Sequence, residues 1–113
     1  MIFNLIENRI MHYTDDGNFV KDVEIGFNEN KKILAIESDE FTNSVYSLWK
    51  KSGVIQIDEI DIYDGTIKES FQIKNYRNPE KIRISDDNVY FLYNDINSNK
   101  KLVKIPLQQL IAL

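Results

Sequence analysis

The chain has 113 residues and a mass of 13.3 kDa, so it holds one domain at most, with a modest core burying roughly two-thirds of the unfolded surface. Hydrophobic residues make up 42% and charged residues 28%, which argues against disordered, collagen-like and coiled-coil classes. Eighteen acids against fourteen bases give a net charge of −4 and a pI near 4.9, which argues against nucleic acid or an anionic membrane as the main partner.

The choice of apolar residues sets the fold class. There are 17 Ile, 6 Phe and 6 Tyr but only two Ala, alongside 12 Asn. β-Branched and aromatic side chains fit a pleated surface, while the best helix former is nearly missing, so an all-β protein is expected. Without cysteine there is no disulfide, thiolate zinc site or catalytic thiol, and the single histidine, His12, cannot build a His-rich metal centre. The apolar run at Met1 to Ile6 has no basic residue ahead of it and stops at Glu7, so it is expected to be neither a signal peptide nor a membrane span. The compartment is left open.

In chain order, Phe19 to Ile25 alternates apolar Phe19, Val23 and Ile25 with Val20, Asp22 and Glu24, a half-exposed strand. Ile33 to Ile36 is a short run of the same bias. Val45-Tyr46-Ser47-Leu48-Trp49 carries large side chains at both parities, as an interior strand covered on both faces does. From Val54 to Tyr63 the apolar parity changes, Ile55 and Ile57 being odd while Ile60 and Ile62 are even. If one face stays buried, this requires a β-bulge near Asp58-Glu59. Ile67 to Ile73 alternates again, Ile82 to Ile84 is short, and Val89-Tyr90-Phe91-Leu92-Tyr93 is a second interior strand. At the tail, Leu107, Leu110 and Ile111 have helical spacing. Turn signals fall between the runs at Asp16-Gly17, Asp39 to Asn43, Ser52-Gly53, Asp64-Gly65, Asn75 to Pro79, Asp86-Asp87-Asn88 and Asp95 to Asn99. These spacings predict antiparallel meanders without parallel crossovers.

The chain also repeats itself. Asp16-Gly17 recurs as Asp64-Gly65, Ile25 as Ile73 and Ile36 as Ile84, each 48 residues on, and Val45 to Trp49 recurs as Val89 to Tyr93, 44 residues on. A period of roughly 45 residues holding four short strands is that of a propeller blade. Pro79-x-x-Ile82-x-Ile84-x-Asp86-x-x-Val89-Tyr90, with Asp16-Gly17-x-Phe19-Val20 and Asp64-Gly65-x-Ile67, resembles the NHL-type repeat of six-bladed β-propellers. Its Asn- and Ile-rich wording is similar to uncharacterised propeller proteins of Bacteroides-type bacteria. The resemblance implies four-stranded blades, with residues 1–27 as half a blade (its last two strands), 28–76 as a complete blade, 77–107 as a partial blade of three strands and 108–113 as a tail. An antiparallel β-sandwich is the alternative architecture. Two and a half blades cannot close a ring. Blade faces are therefore expected to be covered by another protein, by self-association in a homo-oligomer, or by further repeats of a longer protein.

Candidate chemistry is sparse. His12, beside Met11 and Tyr13, has the side chain of a general base, but no nucleophile is identifiable near it, so a hydrogen-bonded histidine is expected. Asp95-x-Asn97-x-Asn99 matches the first ligand positions of a calcium loop, then fails where Lys100 replaces the required glycine and Pro106 the bidentate glutamate. Asp15-Asp16-Gly17-Asn18 and Asp86-Asp87-Asn88 read as hairpin turns. Asp58, Glu59, Asp61 and Asp64 offer carboxylates for glycoside hydrolysis, yet strand alternation puts Asp58 and Glu59 on opposite faces, which favours a solvated acidic strand. Lys50-Lys51 and Lys100-Lys101 protect strand edges. Tyr46, Trp49, Tyr63, Tyr76, Tyr90 and Tyr93 read as packing side chains before stacking platforms. No catalytic, metal or cofactor-binding residue is assigned, and no cofactor is expected. The expected function is a noncatalytic binding or scaffold module. The alternatives are a piece of a hydrolase or lactonase-like propeller with a channel-bound cation, or a truncated gene product without independent function.

Overall fold

In the computed structural model, which describes residues 2–4, 9–24, 33–76 and 78–112, the β-branched and aromatic runs form eleven strands. These are β1 (Ile2–Asn4), β2 (Arg9–Tyr13), β3 (Phe19–Glu24), β4 (Ile33–Asp39), β5 (Ser44–Lys51), β6 (Val54–Ile60), β7 (Ile67–Ile73), β8 (Glu80–Ser85), β9 (Asn88–Asn94), β10 (Lys100–Pro106) and β11 (Ile111–Ala112). Every pairing is antiparallel, and the strands make three sheets ordered β1-β2-β3, β11-β7-β6-β5-β4 and β10-β9-β8. The protein is all-β. No helix among the described residues is long and apolar enough to cross a membrane.

Tight turns impose the meander. Ser52 and Gly53 between β5 and β6, and Asp86 and Asp87 between β8 and β9, all have positive φ, between 51° and 81°. Two consecutive left-handed residues give the primed turn whose twist matches the strands it joins. Asp is among the few residues with a side chain that enter this region readily, so the acidic pair needs no glycine.

The sheets stack face to face. Register places Leu48, Ile57 and Phe71 side by side on one face of the central sheet, where they form a core with Ile82, Ile84, Val89 and Phe91 of the C-terminal sheet and with Leu107. The opposite face meets the N-terminal sheet through a smaller cluster of Ile10 and Ile60, flanked by Val23, Ile36 and Ile67. Side chains of β5 from Val45 to Leu48 and of β6 from Ile55 to Asp58 are therefore buried at both parities. The stack is long, measuring 52 × 30 × 22 Å, and its radius of gyration is 15.1 Å. A compact globule of this length has a radius of gyration of about 13 Å.

Three expectations need correction. The parity change in β6 is no bulge of that strand. Its odd residues feed the C-terminal core and its even residues the N-terminal cluster, and the register shift opposite Glu59 and Ile60 puts the extra residue, Lys68, on β7. At the tail, where the apolar residues have helical spacing, Leu107–Gln109 make one 3₁₀ turn, and β11 then pairs with the outer edge of β7, Ile111 opposite Gln72. The first sheet has three strands where two were expected. Finally, the ladder pairs Ile84 with Val89 as it pairs Ser38 with Val45, so Ile36 corresponds to Ile82 and not to Ile84. Ile25, the boundary between residues 27 and 28, Met1, and Leu5 to Glu7 lie outside the described residues.

Candidate functional site

At one end of the stack the hairpin tips are acidic, with Asp15, Asp16, Glu40, Asp61, Asp64 and the Asp86-Asp87 turn. The turns at the other end carry Lys50, Lys51, Lys74, Lys100 and Lys101. This polarity follows from the meander, because alternate turns return to the same end.

Asp39, at the last position of β4 and 1% exposed, ties the acidic end together. Its Oδ1 accepts the N–H groups of Phe41 (3.0 Å), Thr42 (3.4 Å) and Asp86 (2.9 Å), and its Oδ2 accepts that of Asp87 (2.8 Å). One carboxylate thus closes its own turn and clamps the turn of the next sheet. Burial opposes its ionisation, but the amides of Asp87, Asp86 and Phe41, with Thr42, outweigh it and hold the carboxyl below its usual range.

Beside this clamp lies a cleft of about 370 Å³ lined by Tyr46, Glu59, Glu69, Phe71, Asp87 and Leu107. Tyr46, Glu59 and Glu69 are consecutive partners across β5, β6 and β7, so two glutamates face each other directly, an unfavourable pairing that Lys68, 3.5 Å from Glu59, relieves in part. Burial pushes the Tyr46 phenol up to about 12; a contact with Ser44 opposes this, and the charges of Glu59, Asp87 and Asp39 add to it. At neutral pH the cleft therefore presents a protonated phenol among carboxylates. Among the described residues no group of three His, Asp or Glu side chains is arranged to hold a metal ion.

The other sequence candidates are separated by the fold. Asp58 is fully buried on the face toward the N-terminal sheet, where its carboxylate accepts the Trp49 indole N–H (3.0 Å) and the Ser70 hydroxyl (2.7 Å). Glu59 points to the opposite face, so the two carboxylates do not meet. The expected solvated acidic strand is corrected at Asp58, which is buried because β6 is covered on both sides. Ser47, directly opposite Asp58, is buried with no hydrogen-bond partner for its hydroxyl among the described residues. The Asp61 and Asp64 carboxylates cap loop amides, Asp61 that of Tyr63 and Asp64 that of Thr66.

His12 donates from Nε2 to the Ile62 carbonyl at 2.6 Å and stacks on Tyr63, their rings 9° from parallel. Asp95 accepts the amides of Asn97 and Asn99, both at 2.9 Å, which is the chemistry of a hairpin tip. The amide of Asn99 holds its carboxyl below the usual range. Tyr76 packs edge-on against Phe91 and Tyr93 in the C-terminal core. Lys50 and Lys51 end β5, and Lys100 and Lys101 begin β10.

One surface was not legible as a site. On the face of the C-terminal sheet turned away from its core, register lines up Arg83, Tyr90 and Lys104 in one row and Glu80, Leu92 and Leu102 in the next. Leu102 is 72% exposed, the Lys104 ammonium lies 5.8 Å from the centre of the Tyr90 ring, and Lys100 pairs with Glu80 at 3.3 Å. The alternation of Lys100, Leu102 and Lys104 was the available signal. No family model matches the chain, and no curated protein or solved structure shows significant similarity to it. What stands is the class, an all-β protein of stacked antiparallel meanders.

Proposed function

We propose that the chain is a noncatalytic binding or scaffold module built from propeller-type blades, with the outer face of its last sheet as the binding surface. The observation that carries this is a repeated face with and without its cover. Tyr46 and Leu48 of β5 are buried under the C-terminal sheet. Their repeat counterparts Tyr90 and Leu92 occupy the same positions on β9, with no sheet packed over them among the described residues. An apolar centre rimmed by Arg83, Lys104 and Glu80 is the composition of a docking surface, apolar in the middle and charged at the border.

Substitution tests the reading. A face kept for a partner is dispensable for folding, so Leu102→Glu should change stability by less than about 0.5 kcal/mol, as surface substitutions do. Leu48→Ala, at the buried counterpart of Leu92, should cost about 3 kcal/mol. Urea denaturation followed by circular dichroism measures both. If Leu102→Glu unfolds the protein, the face belongs to the chain's own core and the proposal fails.

A further inference from the structure

We infer that the N-terminal sheet is a strap that lifts from the central sheet as one unit while the rest of the protein stays folded, and that a clasp on Tyr63 holds it shut. Its strands are thinly covered. Five of the six residues of β3 are exposed, and Ile10 is the fully buried apolar side chain that β2 sends to the junction. Beneath the strap, buried Asp58 accepts from Trp49 and Ser70 of its own sheet, so the carboxylate keeps both bonds when the strap lifts. Regions with few buried apolar contacts open at free energies below that of global unfolding. A small sheet keeps its ladder only while its apolar face is packed, so a lifted strap also unpairs.

The clasp is built from a cross-strand pair. His12 and Lys21 stand directly opposite each other on β2 and β3, and together they grip consecutive carbonyls in the loop that joins β6 to β7. His12 donates from Nε2 to Ile62 at 2.6 Å, and the Lys21 ammonium donates to Tyr63 at 3.1 Å. Both also meet the Tyr63 ring, His12 stacked with centroids 6.2 Å apart and the Lys21 Nζ 5.6 Å from the ring centre. The loop is a firm catch. The Asp61 amide donates to the Thr66 carbonyl and the Gly65 amide to the Asp61 carbonyl, both at 2.8 Å, and the Asp61 carboxylate accepts the Tyr63 amide at 2.9 Å. These bonds lie wholly within the loop, so the catch keeps its shape with the strap open or shut. Tyr63 is 69% exposed, and its ring serves neither core.

Native-state hydrogen exchange, read by NMR at sub-denaturing urea, tests this directly. β2 is paired on both sides, with β1 and β3, so its amides exchange only when that pairing is lost. They should exchange at least about tenfold faster than those of β9, with a shallower dependence on urea. Tyr63→Ala and Lys21→Met should each speed β2 exchange several-fold further and leave β9 unchanged, since both side chains stand outside the cores. His12→Ala, which removes a hydrogen bond and a ring contact together, should have the larger effect. A single rate and urea slope shared by β2 and β9 overturns the strap, because the N-terminal sheet then opens only in global unfolding. Unchanged β2 exchange in Tyr63→Ala, or an equal acceleration of β9, overturns the clasp and with it the inference.

Discussion

Removing the Asp39 carboxylate should loosen the junction between the central and C-terminal sheets. Asp39→Ala takes the acceptor from three well-formed amide bonds, to Phe41, Asp86 and Asp87, at 3.0, 2.9 and 2.8 Å, whereas the 3.4 Å contact to Thr42 contributes little. Hydrogen bonds to a charged partner are worth about 1.5–3 kcal/mol each, but these amides sit in exposed turns that water can reach. About 1 kcal/mol per bond is therefore the appropriate value, or about 3 kcal/mol in all, a large share of the 5–15 kcal/mol that holds a domain together. At about 2.1 cal/mol/K per residue, the melting temperature falls by about 12 °C. Asp39→Asn keeps an acceptor for one side of the clamp but turns an amine toward the other, so its loss should be smaller. The carboxyl's folded-state pKa is depressed, so its contribution is present above the ordinary aspartate value and disappears as pH falls through the lowered one. Thermal melts of wild type and Asp39→Ala should differ fully at pH 7 and converge on acidification. A loss under about 0.5 kcal/mol at pH 7 would refute the clamp.

Three further outcomes are expected. Gly17 has φ of 84° and open space where a Cβ would stand, so Gly17→Ala should cost about 1 kcal/mol through backbone conformation alone, read from urea denaturation. Lys81 is an exposed lysine at φ 51° where β8 bulges against β9, and Lys81→Gly should be neutral or stabilise by up to about 1 kcal/mol in the same assay. Ultraviolet titration of wild type against Tyr46→Phe should show Tyr46 ionising near pH 12; since unfolded Tyr46 loses its proton near 10 while the folded form keeps it, its contribution to stability should fall as pH rises from 10 to 12, and Tyr46→Phe should remove that part of the fall.

Strand identity was readable because Ile and aromatic side chains at period two leave little choice of structure. The primed turn at Asp86-Asp87 and the doubly covered Val45 to Leu48 could be read in the same way. What could not be read was which side each parity serves. In β6 the shift from Ile55 and Ile57 to Ile60 and Ile62 looks like a slipped strand until two separate cores are known to receive the two sets. The C-terminal strand was hidden for a similar reason. Leu107, Leu110 and Ile111 keep helical spacing, yet β7 offers an open edge whose backbone groups pair with β11. Asp39 looked like an ordinary turn residue, since the amides it holds at Asp86 and Asp87 lie 47 and 48 positions further on.

The two junctions of the stack are built differently. Between the central and C-terminal sheets the contact is a broad apolar core, closed at one end by the Asp39 clamp. Between the central and N-terminal sheets the apolar cluster centres on two buried isoleucines, and beside it on the central sheet sit buried Asp58, Ser47 and Gln56. Burying polar groups costs free energy unless each is hydrogen-bonded, so this junction gains less per unit area and depends on geometry, with Trp49 and Ser70 both aimed at Asp58. Trp49 and Ser70 belong to the same sheet as Asp58, so that sheet satisfies the carboxylate by itself before the N-terminal sheet packs over it.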